Sequence, residues 1–247
     1  MYSKGLVCFD MDGVLVDWLS TWEWVYSKLK ISNSESMELY LSGNLTEWKW
    51  LIRDLSLIRG ALQNNMNDDT LRSLLHDCPL MNGYEECINS LLENNFEVAI
   101  ISGGMQHTAY KIASIFPSKN NWIRRWGGID RKISMQEMGG HDSRLHVFCN
   151  GWYSNFDGEI SHTGRYNVQM NSKDTVVRML QRRLGVPESR TASVGDSKGD
   201  VSMFEVSDFS VAFNPMDEIV GKHSDSCITS KDLRLVSSAI LEHFSSK

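Results

Sequence analysis

Two aspartates one residue apart, Asp10 and Asp12, stand where the apolar run Gly5-Leu6-Val7-Cys8-Phe9 stops. A second acidic pair, Asp196 and Asp200, follows the run that ends at Val194-Gly195. Carboxylates gathered at strand ends repel one another unless a cation or a proton holds them together. Between the pairs lie Ser102-Gly103-Gly104, after another strand-like run, and Lys173, at the start of a helical pattern. These residue types in this order point to a magnesium-dependent phosphoryl-transfer site.

The chemistry assigns each residue a task. A carboxylate can attack phosphorus and split one difficult displacement into two through an aspartyl-phosphate, and Asp10, the first acid after the strand, is the expected nucleophile. It must approach a dianionic phosphate, so a divalent cation has to offset the charge. Mg²⁺ suits this, bound by one or two carboxylates, water and phosphate oxygens. The expected metal set is Asp10, the backbone carbonyl of Asp12, and Asp196. Asp12 would protonate the leaving oxygen and later take a proton from water. Ser102, with the unhindered amides of Gly103 and Gly104 at a strand-to-helix turn, would cradle phosphate. Lys173 would neutralise the transferring group and restrain Asp10, with Asp200 orienting Lys173 or a metal-bound water. Singly, each has an ordinary alternative: a surface acid pair, a serine-capped turn, an exposed lysine. Their conjunction carries the reading.

Short apolar runs at Leu6–Phe9, Val98–Ile101, Thr191–Val194 and Phe209–Phe213 read as buried parallel strands, the first three closing on Asp, Ser or Gly. Helical patterns over Glu85–Glu93 and Asp174–Leu184 alternate with them, the second stopped by Gly185 and Pro187. This alternation predicts an α/β fold, a parallel sheet with helices on both faces, whose ligands bind at the carboxyl ends of the strands. Residues 17–79 read as wholly helical and hold Trp18, Trp22, Trp24, Trp48 and Trp50, five of the eight tryptophans. They are expected to form a helical cap inserted over the strand ends, its last helix carrying Leu71, Leu74 and Leu75 and the tryptophans supplying its core. The core would comprise residues 1–16 and 80–247, with an insertion at about 117–165. That insertion holds the pairs Gly127-Gly128 and Gly139-Gly140, a basic stretch (Lys119, Arg124, Arg125, Arg131, Lys132) and a hairpin of His146–Tyr153 and Glu159–His162 turning at Asp157-Gly158. The basic stretch is read as a solvated face, with a lip that attracts anionic substrates as the sharper alternative.

A net charge of −6 argues against nucleic-acid binding through phosphate contacts. No run of about 18 apolar residues is present for a membrane helix. Asp10 and Asp12 arrive too early for a signal peptide. Five scattered cysteines without a CxxC pair read as reduced, buried thiols of a cytoplasmic protein. His141 and His146 beside Asp142 lack helical metal spacing and read as surface or loop residues. His107, the histidine nearest the expected phosphate site, reads as a helix-surface residue.

Phe9-Asp10-Met11-Asp12-Gly13-Val14-Leu15, Ile101-Ser102-Gly103-Gly104, Lys173 and Gly195-Asp196-Ser197-Lys198-Gly199-Asp200 together resemble the four motifs of haloacid dehalogenase superfamily phosphatases. The Ser-Gly-Gly form, the hairpin before the lysine, and Val201-Ser202-Met203-Phe204 leading into Val211-Ala212-Phe213-Asn214 resemble the phosphoserine-phosphatase-like branch. The resemblance implies a Rossmann-like core, Mg²⁺, an aspartyl-phosphate intermediate and a helical cap. Dehalogenases lack the second aspartate, which is Asp12 here. The branch's substrate-binding residues are not matched. Its ammonium-binding Glu falls on Leu19, with Glu23 one helical turn further on. Its carboxylate-binding Arg falls on Asp54, beside Arg53, and an expected Asn is Gly199. The implied activity is hydrolysis of a small phosphomonoester other than or including phosphoserine, with Trp18 and Trp22 forming a neutral, aromatic pocket for a less charged leaving group. Phosphotransfer through the same intermediate, or ligand binding without turnover, stays open.

Overall fold

The computed structural model describes residues 3–116, 124–125 and 144–245. Among the expectations above, those on Lys119, Arg131, Lys132, both glycine pairs, His141 and Asp142 lie outside the described residues. Strand β1 (Gly5–Phe9) is wholly buried and leads into helices α1 (Thr21–Leu29), α2 (Ser34–Leu41), α3 (Glu47–Leu62) and α4 (Asp68–Leu75). The chain continues through α5 (Tyr84–Glu93), β2 (Phe96–Met105), α6 (Gln106–Ser114), β3 (Arg124–Arg125), β4 (Leu145–Ser154) and β5 (Ile160–Arg165). It ends with α7 (Asp174–Leu184), β6 (Thr191–Gly195), α8 (Val201–Phe204), β7 (Phe209–Phe213), α9 (Glu218–Lys222), β8 (Ser226–Ile228) and α10 (Arg234–Ser245).

The sheet runs β3-β4-β2-β1-β6-β7-β8, all neighbours parallel, with β5 antiparallel to β4. Because side chains alternate across a strand, one face collects Val7, Phe9, Val98, Ile100 and Val194 against α5 and α10. The other collects Leu6, Cys8, Ala99, Ile101 and Phe148 against Val176, Val177 and Leu180 of α7. Two covered faces explain why the strands read as unbroken apolar runs. The result is a Rossmann-like α/β core. Its central strand β1 lies between β2 and β6, so Asp10, Ser102 and Asp196 emerge side by side.

The four helices after β1 stand on two hydrogen-bonded crossings. Asp17 N–H donates to Pro79 O at 2.9 Å and Met81 N–H to Leu15 O at 2.9 Å. The stretch expected to be wholly helical is interrupted at 30–33 and 42–46.

Strand β4 corrects the reading of its segment as insertion. Its first half, Leu145–Asn150, pairs with β2 in the main sheet, and only Gly151–Ser154 forms the hairpin with β5. The strand expected at His146–Tyr153 is present, but the polar His146 and Asn150 hid its place in the buried main sheet. The hairpin then packs on the helices: Asp68 N–H donates to Gly158 O at 2.8 Å, and Trp152, Ile160 and Met105 join Tyr26, Leu55, Ile58 and Leu71 in one apolar cluster. At its rim Asp68 is fully buried. Its Oδ1 accepts from Trp152 Nε1 at 3.0 Å and lies 3.2 Å from His107 Nε2, and Oδ2 accepts from Arg72 Nε at 2.7 Å. Burial alone would raise this carboxyl, but the bonds from His107 and Trp152 and the charge of Arg72 hold it well below the usual range.

The described cysteines are free; Cys8, Cys78, Cys87 and Cys149 are buried and Cys227 is exposed. Among the described residues no helix is long and apolar enough to cross a membrane.

Removing the acid that three elements share strands their donors in the interior. Asp68→Ala is expected to lower unfolding free energy by about 3–5 kcal/mol in urea titrations, whereas Asp69→Ala, exposed on the same turn, costs about 0.5 kcal/mol. Similar losses in the two variants would contradict the packing described.

Candidate active site

At the end of β1 the Asp10 N–H still donates to Val194 O at 2.9 Å, holding Asp10 in line with the sheet. The chain then turns over Met11, whose carbonyl accepts from the N–H groups of Val14, Leu15 and Val16. Gly13 takes φ of +76° with the Asp196 carboxylate where a Cβ would sit. Only glycine tolerates both the conformation and the contact.

The charged groups interlock. Lys173, 4% exposed, places its Nζ 2.9 Å from Asp10 Oδ1 and 2.6 Å from Asp200 Oδ1. Asp10 Oδ1 also accepts from Met11 N–H at 2.7 Å. The other Asp200 oxygen accepts from the N–H groups of Asp196 (3.1 Å) and Ser197 (3.0 Å) and from the Ser197 hydroxyl (3.1 Å), the Ser197 bonds closing a capping box, so this oxygen is saturated while Oδ1 carries Lys173. Asp12 Oδ2 accepts from the Thr21 hydroxyl at 3.3 Å, and Thr21 Oγ1 accepts from Met105 N–H at 2.8 Å.

Carboxylate oxygens of Asp10, Asp196 and Asp200 come within 4.8 Å of one another, a group that does not contain the Asp12 side chain. With Asp200 committed to Lys173 and its capping box, Asp10 and Asp196 remain as carboxylate donors. Buried Asp196 Oδ1 and Asp12 Oδ1 have no hydrogen-bond partner. Burial raises the carboxyls of Asp10, Asp12 and Asp196, followed by the charge of Asp200 for Asp10 and of Asp10 for Asp12 and Asp196. An orphaned oxygen among acids of raised pKa fits a hard divalent cation with oxygen ligands such as Mg²⁺.

The Ser102-Gly103-Gly104 segment departs from the expected strand-to-helix turn. Strand β2 continues to Met105, and Ser102 pairs with Cys149 while Met105 pairs with Asn150, so the two glycines are looped out of the ladder. The α6 cap is Met105, without a side-chain cap bond. Ser102 Oγ instead accepts from Gly104 N–H at 3.0 Å. A Cβ on Gly104 would sit 2.5 Å from Asp12 Oδ2 and 2.8 Å from Thr21 Oγ1.

These residues line a cavity of about 320 Å³ together with Trp22, Glu23, Tyr26, Glu47, Trp50 and Asp54. Trp22 donates to Gly103 O at 3.0 Å. Trp18 does not line the cavity; it is 40% exposed and meets Trp24 edge-on. The expected neutral pocket is thus overturned by Glu23, Glu47 and Asp54. His107 is neither on the helix surface nor in the cavity, being buried against Asp68 and Trp152. His146 is likewise buried, 2.8 Å from Glu97. Gly199 is explained locally: a Cβ there would lie 2.9 Å from Met170 O, leaving no room for Asn. Sequence reasoning missed Asn150, which accepts from the N–H groups of Asn167 and Val168 and so fixes the approach to Lys173. A lone polar residue in an apolar strand was its available signal.

A sequence profile of haloacid dehalogenase-like hydrolases matches residues 5–208. The chain belongs to that family. It is 27% identical over 227 residues to the phosphoserine phosphatase of Campylobacter jejuni subsp. doylei, covering 91% of each chain. It is 25% identical over 236 residues to that of Methanocaldococcus jannaschii, covering 94% of this chain and 95% of the relative. A solved phosphoserine phosphatase with substrate bound superposes with a TM-score of 0.69 at 20% identity, over 97% of this chain and 99% of that one. A phospho-aspartyl intermediate analogue of phosphoserine phosphatase gives 0.67 at 21% identity, over 96% and 99%.

The raised carboxyls fix the sign of a pH effect. A folded pKa above the ordinary value contributes stability that is full below about pH 4 and is lost as pH rises through about 6 for Asp10, 7 for Asp12 and 9 for Asp196. A cation that replaces those protons stabilises more at higher pH. The melting-temperature gain on adding Mg²⁺ is therefore expected to be larger near about pH 8 than near about pH 5.5 and to vanish in Asp196→Asn. A gain independent of pH, or one retained in that variant, would contradict this assignment.

Proposed function

We propose that this hydrolase is a phosphatase that cleaves a small phosphomonoester through an aspartyl-phosphate on Asp10. The observation that carries the reading is the buried Lys173 ammonium held between Asp10 and Asp200 in an acid-lined cavity. An Asp–Lys–Asp arrangement of this burial costs desolvation that a purely structural role does not explain, whereas a dianionic phosphate gives the ammonium a further partner.

Asp10 would attack phosphorus with its carboxylate while the bond to the leaving oxygen breaks. Asp12, pushed up to about 7 by burial and by the charge of Asp10, then suits a group that gives a proton to that oxygen at neutral pH and takes one from water in the second step. Ser102 and the looped-out Gly103 and Gly104 would hold phosphate oxygens, with Lys173 balancing their charge. Asp10 and Asp196, with the Asp12 carbonyl, would hold Mg²⁺, which when bound offsets the charge of nucleophile and phosphate. Asp200 would keep Lys173 charged and in place. The helices of residues 17–79 would act as the cap that closes this site over residues 1–16 and 80–247. The free cysteines fit a reducing, cytoplasmic setting. The relatives' printed names make phosphoserine one member of the substrate class to be tried.

Asp10→Asn removes the nucleophile while keeping its shape. Phosphate release from a panel of phosphomonoesters is expected to fall by about three orders of magnitude or more in kcat, with a cooperative melt retained, and to be abolished in wild type by EDTA. Near-normal turnover in Asp10→Asn would overturn the mechanism.

A further inference from the structure

The helices after β1 bring to the cavity a negative charge that phosphoryl transfer does not use. Asp54 on α3 is 5% exposed and lines the cavity. Its Oδ2 accepts from Tyr26 Oη at 2.5 Å and Asn33 Nδ2 at 3.3 Å, while buried Oδ1 makes no hydrogen bond. Burial raises the carboxyl to about 6 against the pull of those donors, of the nearby Trp50 indole and, least of all, of the Arg53 charge, so it stays undercompensated. Glu47 is met by neutral donors too, the hydroxyls of Tyr40 and Tyr166 and the N–H of Met170. Glu23 lines the same cavity. The neighbouring Arg53 is turned elsewhere, 3.0 Å from Glu35. Among the described lining residues Lys173 is the only cation, and it is taken by Asp10 and Asp200.

A leaving group that carried a carboxylate would meet Glu23, Glu47 and Asp54 with no cation to receive it, and like charges brought together in a desolvated site oppose binding. An ammonium would find the reverse: a buried acid with a free oxygen, beside the rings of Trp22, Tyr26 and Trp50, whose faces attract cations. We propose that the alcohol released by this enzyme carries an ammonium and no carboxylate, that is, an amino-alcohol phosphomonoester whose cation is received by Asp54. The proposal rests on the phosphatase reading and narrows it away from phosphoserine, which bears both groups.

O-phosphoethanolamine, O-phosphoserine and 2-hydroxyethyl phosphate make a matched set: the second adds a carboxylate to the first, and the third replaces its ammonium by a hydroxyl. With Mg²⁺, kcat/KM for phosphoethanolamine is expected to exceed each of the others by about tenfold or more. In Asp54→Asn the ratio of amino to hydroxyl ester is expected to fall toward one, chiefly through KM, while Arg53→Ala keeps the wild-type ratio. Each ratio is taken within one variant, so the fraction folded cancels. Equal turnover of the three esters, a preference for either of the other two, or an unchanged ratio in Asp54→Asn overturns the proposal. Acetyl phosphate, a donor without an ammonium, separates the two levels. Asp10-dependent consumption of it with no release from the three esters overturns the proposal alone; consumption of none of the four overturns the phosphatase reading as well.

Discussion

Lys173 and the two carboxylates that grip it set the terms for the rest of the molecule. An ammonium and three buried aspartates whose carboxylate oxygens lie within 4.8 Å of one another are costly to assemble, and their mutual geometry offsets that cost only when each is fixed by its own backbone. β1 fixes Asp10, β6 with its capping box fixes Asp196 and Asp200, and the segment held by Asn150 delivers Lys173. The parallel sheet is the device that brings chain positions more than 180 residues apart to one edge. The apolar layers on its two faces keep that edge rigid.

The same constraint explains the glycines. Gly13 and Gly104 are sites where a side chain would occupy the space of Asp196 or Asp12, so the acids pack against backbone. Close packing of this kind shields the carboxylates from water and raises their pKa values, which leaves them short of positive charge. The helices over the site repeat the theme with Asp54. The helical side of the cavity thereby carries three acids, Glu23, Glu47 and Asp54, as the strand-end side carries Asp10, Asp12 and Asp196.

Much of the candidate site was legible because its residues are strand-end punctuation: an acid, a Ser-Gly-Gly or a Gly-Asp follows the apolar runs of β1, β2 and β6. Lys173 was legible by its place at the start of a regular helical pattern. Strand β4 was legible as one arm of a hairpin but not as a member of the main sheet, since His146 and Asn150 interrupt its apolar character and find their partners, Glu97 and the 167–168 backbone, only in the folded chain. The roles of the tryptophans were equally hidden. Trp18, Trp22 and Trp50 look alike in sequence, yet Trp18, ahead of α1, is exposed, while Trp22 on α1 and Trp50 on α3 line the cavity. His107 was misjudged because its partner Asp68 is 39 residues away. Such long-range pairings are not encoded in short motifs.

The account stands or falls on covalent chemistry at Asp10. Acid quenching during turnover preserves an acyl phosphate, borohydride reduces it to the alcohol, and peptide mass spectrometry then locates the residue converted from aspartate to homoserine. The account predicts homoserine at position 10 alone, formed only when both ester and Mg²⁺ are present. Conversion at Asp12 or Asp196 instead, or turnover with no converted residue, would contradict it.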